Sequence, residues 1–184
     1  LPIGGVSIVV ITVAALTGTL KIGEAISGFA NSAIWLIVGA FLFSRGFIKT
    51  GLGKRIAYNL IATFGSSSLR LSYALALTDL ILAPATPSNT ARVGGVIMPI
   101  TTSLAKAFGS EPQDGPRKIG SFLMQSIYQV NTITSAMFQT SMAGNTLVAA
   151  LALQSFGIGI TWGDWAMAAI VPGIVALLIM PYFI

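Results

Sequence analysis

Charge along this chain is confined to short islands, and the apolar stretches between them set the first expectations. Residues 1–20, 25–44, 56–69, 93–105, 119–163 and 165–184 contain no Asp, Glu, Lys or Arg. An α-helix rises about 1.5 Å per residue, so crossing a hydrocarbon core of about 30 Å takes roughly 20 residues. Stretches 1–20, 25–44 and 165–184 each fit one span. The pattern predicts two transmembrane helices over 1–48 and another over 162–184.

The islands give direction. Arg45, Lys49, Lys54 and Arg55 form one basic cluster, and Lys106, Arg117 and Lys118 a second, diluted by Glu111 and Asp114. The positive-inside rule assigns both to the cytoplasmic face. On that face, 49–69 reads as an interfacial helix and 108–118 as a loop. Segment 70–107 therefore starts and finishes beside cytoplasmic charge and has to enter the membrane and return. Two full spans need about 40 residues plus a turn, whereas 71–105 offers 35, with APATPSNT in its middle. Proline lacks the N–H donor and clashes with the preceding turn, so no continuous helix is expected there. The economical solution is a re-entrant hairpin: 71–82 inward, a broken tip at 83–90, and 91–105 back. Irregular backbone at membrane depth survives only in protein or beside a polar cavity, which makes the tip a functional candidate.

The 45 uncharged residues of 119–163 are too many for one straight helix. Polar QTSMAGNT at 139–146 predicts a broken helix over 119–158, with two full spans and an inward Asp164 as the alternative. Trp162 and Trp165 suit a membrane interface before the last span.

Composition agrees with this reading. The chain is 54% hydrophobic and 8% charged, with mean hydropathy +0.85, whereas soluble domains carry about a quarter charged residues. The fold class expected is an all-α polytopic membrane protein. Zero Cys excludes a disulfide scaffold, and zero His excludes His metal sites and triads. A net charge of +5 is scattered rather than gathered on one face, so no nucleic-acid partner is expected. An intramembrane aspartyl protease needs two embedded Asp, and only Asp79 qualifies. The chain begins at Leu1 without a basic n-region, so its first run is not a signal peptide. Both ends stand in apolar runs, and the chain is expected to be part of a longer protein.

Two breaks carry the available chemistry. Ser88, Asn89 and Thr90 sit at the hairpin tip, immediately before a half-helix. A helix N-terminus presents unpaired N–H groups and partial positive charge, which favour a carboxylate. Hydroxyl and amide groups add donors for an anion and oxygens for a small cation. Unwound backbone at Ala143, Gly144 and Asn145 would leave carbonyls for sodium, and Thr146 closes that run. Paired broken helices are the best sequence pointer to a transporter site. The plainer reading makes Ser88 or Asn89 a helix cap and Gly144 a kink. Arg92 is open to three roles: counter-charge for a dianion, partner of Asp79, or contact with the cytoplasmic surface. Gly94 and Gly95 are expected to let the hairpin arms pack closely. A channel or a non-transporting membrane subunit would use the same geometry.

The run PATPSNTARVGGVIMPI resembles the first Ser-Asn-Thr hairpin of the divalent anion:sodium symporter family. SRGFIKTGLGKRIAY and FQTSMAGNTLVA are similar to its branch of 2-oxoglutarate/malate translocators and citrate or tartrate/succinate exchangers. The resemblance implies one of two inverted repeats of a homodimeric, elevator-type transporter. It implies exchange or sodium symport of di- and tricarboxylates, in a bacterial inner membrane or a plastid inner envelope. It also implies that Asn89 and Thr90, with Ser88, Arg92, Asn145 and Thr146, hold carboxylates. Pro84, Ser88, Asn89, Ala143 and Gly144 would give oxygens to a coupling sodium, with no other cofactor. A second Ser-Asn-Thr is missing: the Asn-Thr pairs at 131–132 and 145–146 lack the Ser. The partner implied is a C-terminal repeat. The break also reads Ala-Gly-Asn where sodium-coupled members often carry paired glycines.

Overall fold

The computed structural model describes residues 2–111, 113 and 118–184, and every regular element among them is helical. Asp114 and Arg117, counted above in the second charged cluster, lie outside the described residues. Contacts divide the chain into two compact units, 1–38 and 39–184.

In the first unit, α1 (Ile3–Leu16) is apolar throughout. It covers 14 residues, about 21 Å, and so is shorter than the uncharged stretch around it. The chain turns at Gly18, where φ is +73°. α2 (Ile22–Ala25) follows, with the Glu24 carboxylate accepting from the Lys21 N–H at 3.3 Å. A 3-10 turn, Ser27–Ala30, leads into α3 (Ser32–Lys49). Trp35 Nε1 donates to Phe29 O at 2.6 Å. α3 starts later than the stretch 25–44 and passes Arg45 without a break, because charge at a helix end does not stop a helix. Gly51 does, at φ +69°.

The second unit holds the breaks. Its elements are α4 (Leu52–Phe64), α5 (Ser68–Leu82), a 3-10 turn (Ala83–Ala85), α6 (Asn89–Arg92), a π turn (Val93–Ile97), α7 (Met98–Ala107), α8 (Ile119–Met137), α9 (Ala143–Phe156) and α10 (Trp162–Phe183). α4 is amphipathic and buries Gly53 and Ala57. At Gly53 a Cβ would stand 3.2 Å from Val96, so glycine lets α4 close on the π turn. One core joins Ala57, Leu71, Leu75, Leu82, Ile97 and Leu123 across α4, α5, the π turn and α8. A second joins Ala76, Val130, Met137 and Leu177 across α5, α8 and α10. α10 presses against α8 at Gly173, where a Cβ would fall 2.6 Å from Met137.

The π turn explains one misread pair. Pro99 has no N–H to return to the preceding turn, and the wider turn absorbs that loss, with the Met98 N–H reaching Val93 O. The extra residue rotates the glycines away from the other arm. Gly95 faces Ile48 of α3 at 3.4 Å, and Gly94 has nothing within 4 Å. The expectation that they pack the two arms together is therefore corrected.

Among the described residues, α10 alone is long and apolar enough to cross a membrane by itself. α3 and α4 meet that test together, bent by 58° at their junction.

Candidate functional site

α5 ends at Leu82, and the 3-10 turn carries the chain through Pro84 to an extended Thr86. Ser88 caps α6 from extended backbone (φ −138°, ψ 109°), and its Oγ accepts from the Ala91 N–H at 3.2 Å. Asn89 Oδ1 accepts from the Thr90 N–H at 2.9 Å. Ser88 and Asn89 are half-buried and Thr90 is exposed. The Asn89 amide N–H groups and the Thr90 hydroxyl thus remain near the surface of the tip, beside a helix start.

The second break is residues 138–142, between α8 and α9. α8 leaves carbonyls without intrahelical partners at its C-terminus, and side chains from the next turns collect them. Asn145 Nδ2 donates to Ser135 O at 2.7 Å and to Phe138 O at 2.9 Å. Ser141 Oγ donates to Phe138 O at 2.8 Å, and Thr146 Oγ1 to Gln139 O at 3.1 Å. From α10, Trp165 Nε1 donates to Ala136 O at 2.9 Å. α9 starts on Met142, which provides no side-chain cap; the Asn145 N–H donates to Met142 O at 3.1 Å, and the N–H groups of Ala143 and Gly144 are open to an anion.

Tip and break touch. Thr140 Oγ1 donates to Pro84 O at 2.7 Å and accepts from Trp162 Nε1 at 3.0 Å. The Trp162 ring stacks on Phe138 with centroids 5.8 Å apart. Behind these contacts lies Arg92, 0% exposed. Its Nε pairs with Asp79 Oδ1 at 2.8 Å. Nη1 donates to Thr86 O of the tip and to Ser141 O of the break, both at 3.2 Å. Nη2 donates to Thr134 Oγ1 at 3.2 Å and Ser135 Oγ at 3.1 Å. All five guanidinium donors are spoken for. The other Asp79 oxygen accepts from Asn131 Nδ2 at 3.2 Å and from the Thr134 hydroxyl. Isolated buried charges are prohibitively costly, and here each has its counter-charge and hydrogen bonds.

These contacts correct several expectations. Arg92 is not free to meet a dianion; of its three open roles, the structure fills the pairing with Asp79. Asn145 and Thr146 spend their donors on the break instead of a substrate. Ala143 and Gly144 belong to the first turn of α9, and the unwound backbone lies just before them, because Met142 already has the extended conformation of a cap (φ −147°, ψ 137°). Pro84 O and Ser88 Oγ already accept one hydrogen bond each and keep one lone pair apiece for a cation.

Sequence reading missed Asn131, Thr134 and Ser135 as ligands of the ion pair. Their spacing, i, i+3 and i+4 in an apolar helix, is the signal that one face of α8 is polar. It also missed the two indoles that hold the break.

The sequence profile described as the sodium:sulfate symporter transmembrane region matches residues 1–184. The chain is 57% identical over its whole length to YflS of Bacillus subtilis (strain 168), covering 39% of that protein. It is 48% identical over 98% of its length to dicarboxylate transporter 1, chloroplastic, of Spinacia oleracea, covering 32% of it. With an L-tartrate/succinate antiporter of Escherichia coli (strain UTI89 / UPEC) it shares 43% identity over 86% of its length, covering 33% of that protein. It thus spans between about a third and two fifths of the length of these relatives. The profile runs without interruption through tip, ion pair and break, and the chain belongs to the sodium:sulfate symporter transmembrane family, the divalent anion:sodium symporters, integral proteins of the membrane.

Proposed function

We propose that the chain is the first of two inverted repeats of an elevator-type transporter that exchanges di- and tricarboxylates. In this reading 70–107 is the re-entrant hairpin and 119–158 the broken span. A C-terminal repeat completes the site, and the whole works as a homodimer. The observation that carries the reading is the seam itself: Thr140 on Pro84 O, with two helix starts, at Asn89 and Ala143, on either side of it. A carboxylate at the tip would accept from the Asn89 amide, the Thr90 hydroxyl and the open N–H groups of α9, with Ser88 setting the cap. Two donor sets at a fixed spacing select carboxylates by their separation.

Exchange is favoured over sodium symport by the printed name of one relative, an L-tartrate/succinate antiporter. Arg92 ties tip and break together through Thr86 O and Ser141 O, its charge balanced by Asp79. A sodium ion would have the second lone pairs of Pro84 O and Ser88 Oγ, the Asn89 side-chain oxygen, and carbonyls at 138–142, and would act as a transported ion. Malate, succinate and 2-oxoglutarate are the size of substrate meant. The membrane is proposed to be a bacterial inner membrane, with a plastid inner envelope second; YbhI of Escherichia coli (strain K12), 49% identical, is named an inner membrane protein.

The test is uptake of labelled malate by the full-length protein in liposomes preloaded with 2-oxoglutarate, with sodium or choline outside. Equal uptake in both, dependent on the internal anion, is expected. Uptake only with sodium would replace exchange by symport. Flux indifferent to the internal anion would mean a channel and sink the carrier reading.

A further inference from the structure

We propose that the groove along α5, flanked by α4 at its Arg70 end and by α10 farther on, binds one anionic phospholipid, with its phosphate on Arg70 and an acyl chain along Leu77 and Leu80. The proposal rests on the membrane reading above, with Arg70 at the cytoplasmic face. Arg70 is exposed, and only its Nη1 is engaged, donating to Ser66 Oγ at 3.0 Å. The one ion pair among the described residues is Asp79–Arg92, so no carboxylate among them pairs with Arg70. A cavity of about 500 Å³ opens beside it between α4 and α5, lined by Thr63 and Phe64 of α4 and by Tyr73, Ala74 and Leu77 of α5. Tyr73 and Leu77 also border a second cavity of about 160 Å³, which continues along Leu80 and Ile174.

The groove is polar at one end only. Beyond Thr63 its walls are apolar, and the Tyr73 hydroxyl is withdrawn from it by donating to Leu178 O. From Arg70 to Leu80 the helix rises about 15 Å, half of a roughly 30 Å hydrocarbon core. That is the depth of one leaflet. α10 runs antiparallel to α5, so exposed Tyr182 stands one turn beyond Leu178 toward the Arg70 end, where aromatic residues meet headgroups. An arginine fork offers paired donors to phosphate, and basic pockets between helices on the cytoplasmic side suit anionic headgroups.

The experiment is native mass spectrometry of the full-length protein with phosphatidylglycerol or phosphatidylcholine added. A retained phosphatidylglycerol is expected, weakened about fivefold in Arg70→Gln and unchanged in Lys54→Gln. Leu77→Trp, which fills the groove, is expected to expel it with Arg70 intact. Equal retention of both lipids, or of phosphatidylglycerol by Arg70→Gln, would overturn the proposal. A nitroxide at Leu80 shielded from dissolved oxygen in vesicles would mean that protein, not lipid, covers the groove, and would overturn it as well. None of these readouts is transport, so the lipid site and the exchange reading fail separately.

Discussion

The tip and the break are both interruptions of helix, yet they use their polar side chains in opposite ways. At the tip, Ser88 and Asn89 make only local bonds, to N–H groups one or three residues on. At the break, Ser141, Asn145 and Thr146 reach back three to ten residues to close the end of α8. The side chains of the break hold structure, and those of the tip have donors to spare. The difference teaches that residues of one chemical kind can divide into scaffold and recognition by where their donors go, with Arg92 joining the two regions from behind.

That division can be broken by substitution. The largest loss is expected at the ion pair. Arg92→Gln or Asp79→Asn leaves a buried partner uncompensated and is expected to lower stability by about 3–5 kcal/mol, with partial recovery in the double variant. Thermal unfolding of the full-length protein in detergent checks it. Equal loss in the double variant would mean that the charges do not act as a pair. Gly173→Ala forces a methyl into Met137 and is expected to cost about 1–3 kcal/mol, relieved by Met137→Ala in the same assay. Asn145→Ala strips two carbonyls of a donor and is expected to cost a similar or smaller amount, about 1–3 kcal/mol. Asn89→Ala is expected to change stability by no more than about 0.5 kcal/mol while abolishing uptake. If Asn89→Ala unfolds the protein, or Asn145→Ala leaves stability untouched, the contrast between recognition and scaffold is wrong.

The interruption between α5 and α6 was legible from sequence because its signal is local: Pro84 and Pro87 forbid a continuous helix. The first span was less legible: α1 stops at Leu16 although the apolar run continues to Leu20, since hydropathy carries no information about where a turn begins. The break was found one turn too late, because Gly144 looks like a breaker and Phe138 does not. What fixes that boundary is a set of bonds from Asn145, Trp165 and Thr140 to carbonyls distant along the chain. Arg92 was the hardest to read, for its partners Thr134, Ser135 and Ser141 lie 42 to 49 residues away. No local pattern announces them.

The spacing of the ion pair bears on how the protein is made. Asp79 and Arg92 are 13 residues apart, both within the segment proposed as a re-entrant hairpin. A lone Asp or Arg at the centre of an inserting helix costs about 2.5–3.5 kcal/mol on translocon scales. In the re-entrant hairpin proposed above, both charges leave the ribosome together, and the segment would enter the bilayer with zero net charge at its heart. It does not have to wait for α8 to be synthesised. The later arrival of Thr134 and Ser141 then converts a neutral but loosely held pair into a fixed one, so the order of synthesis is also the order in which the buried charge is made safe.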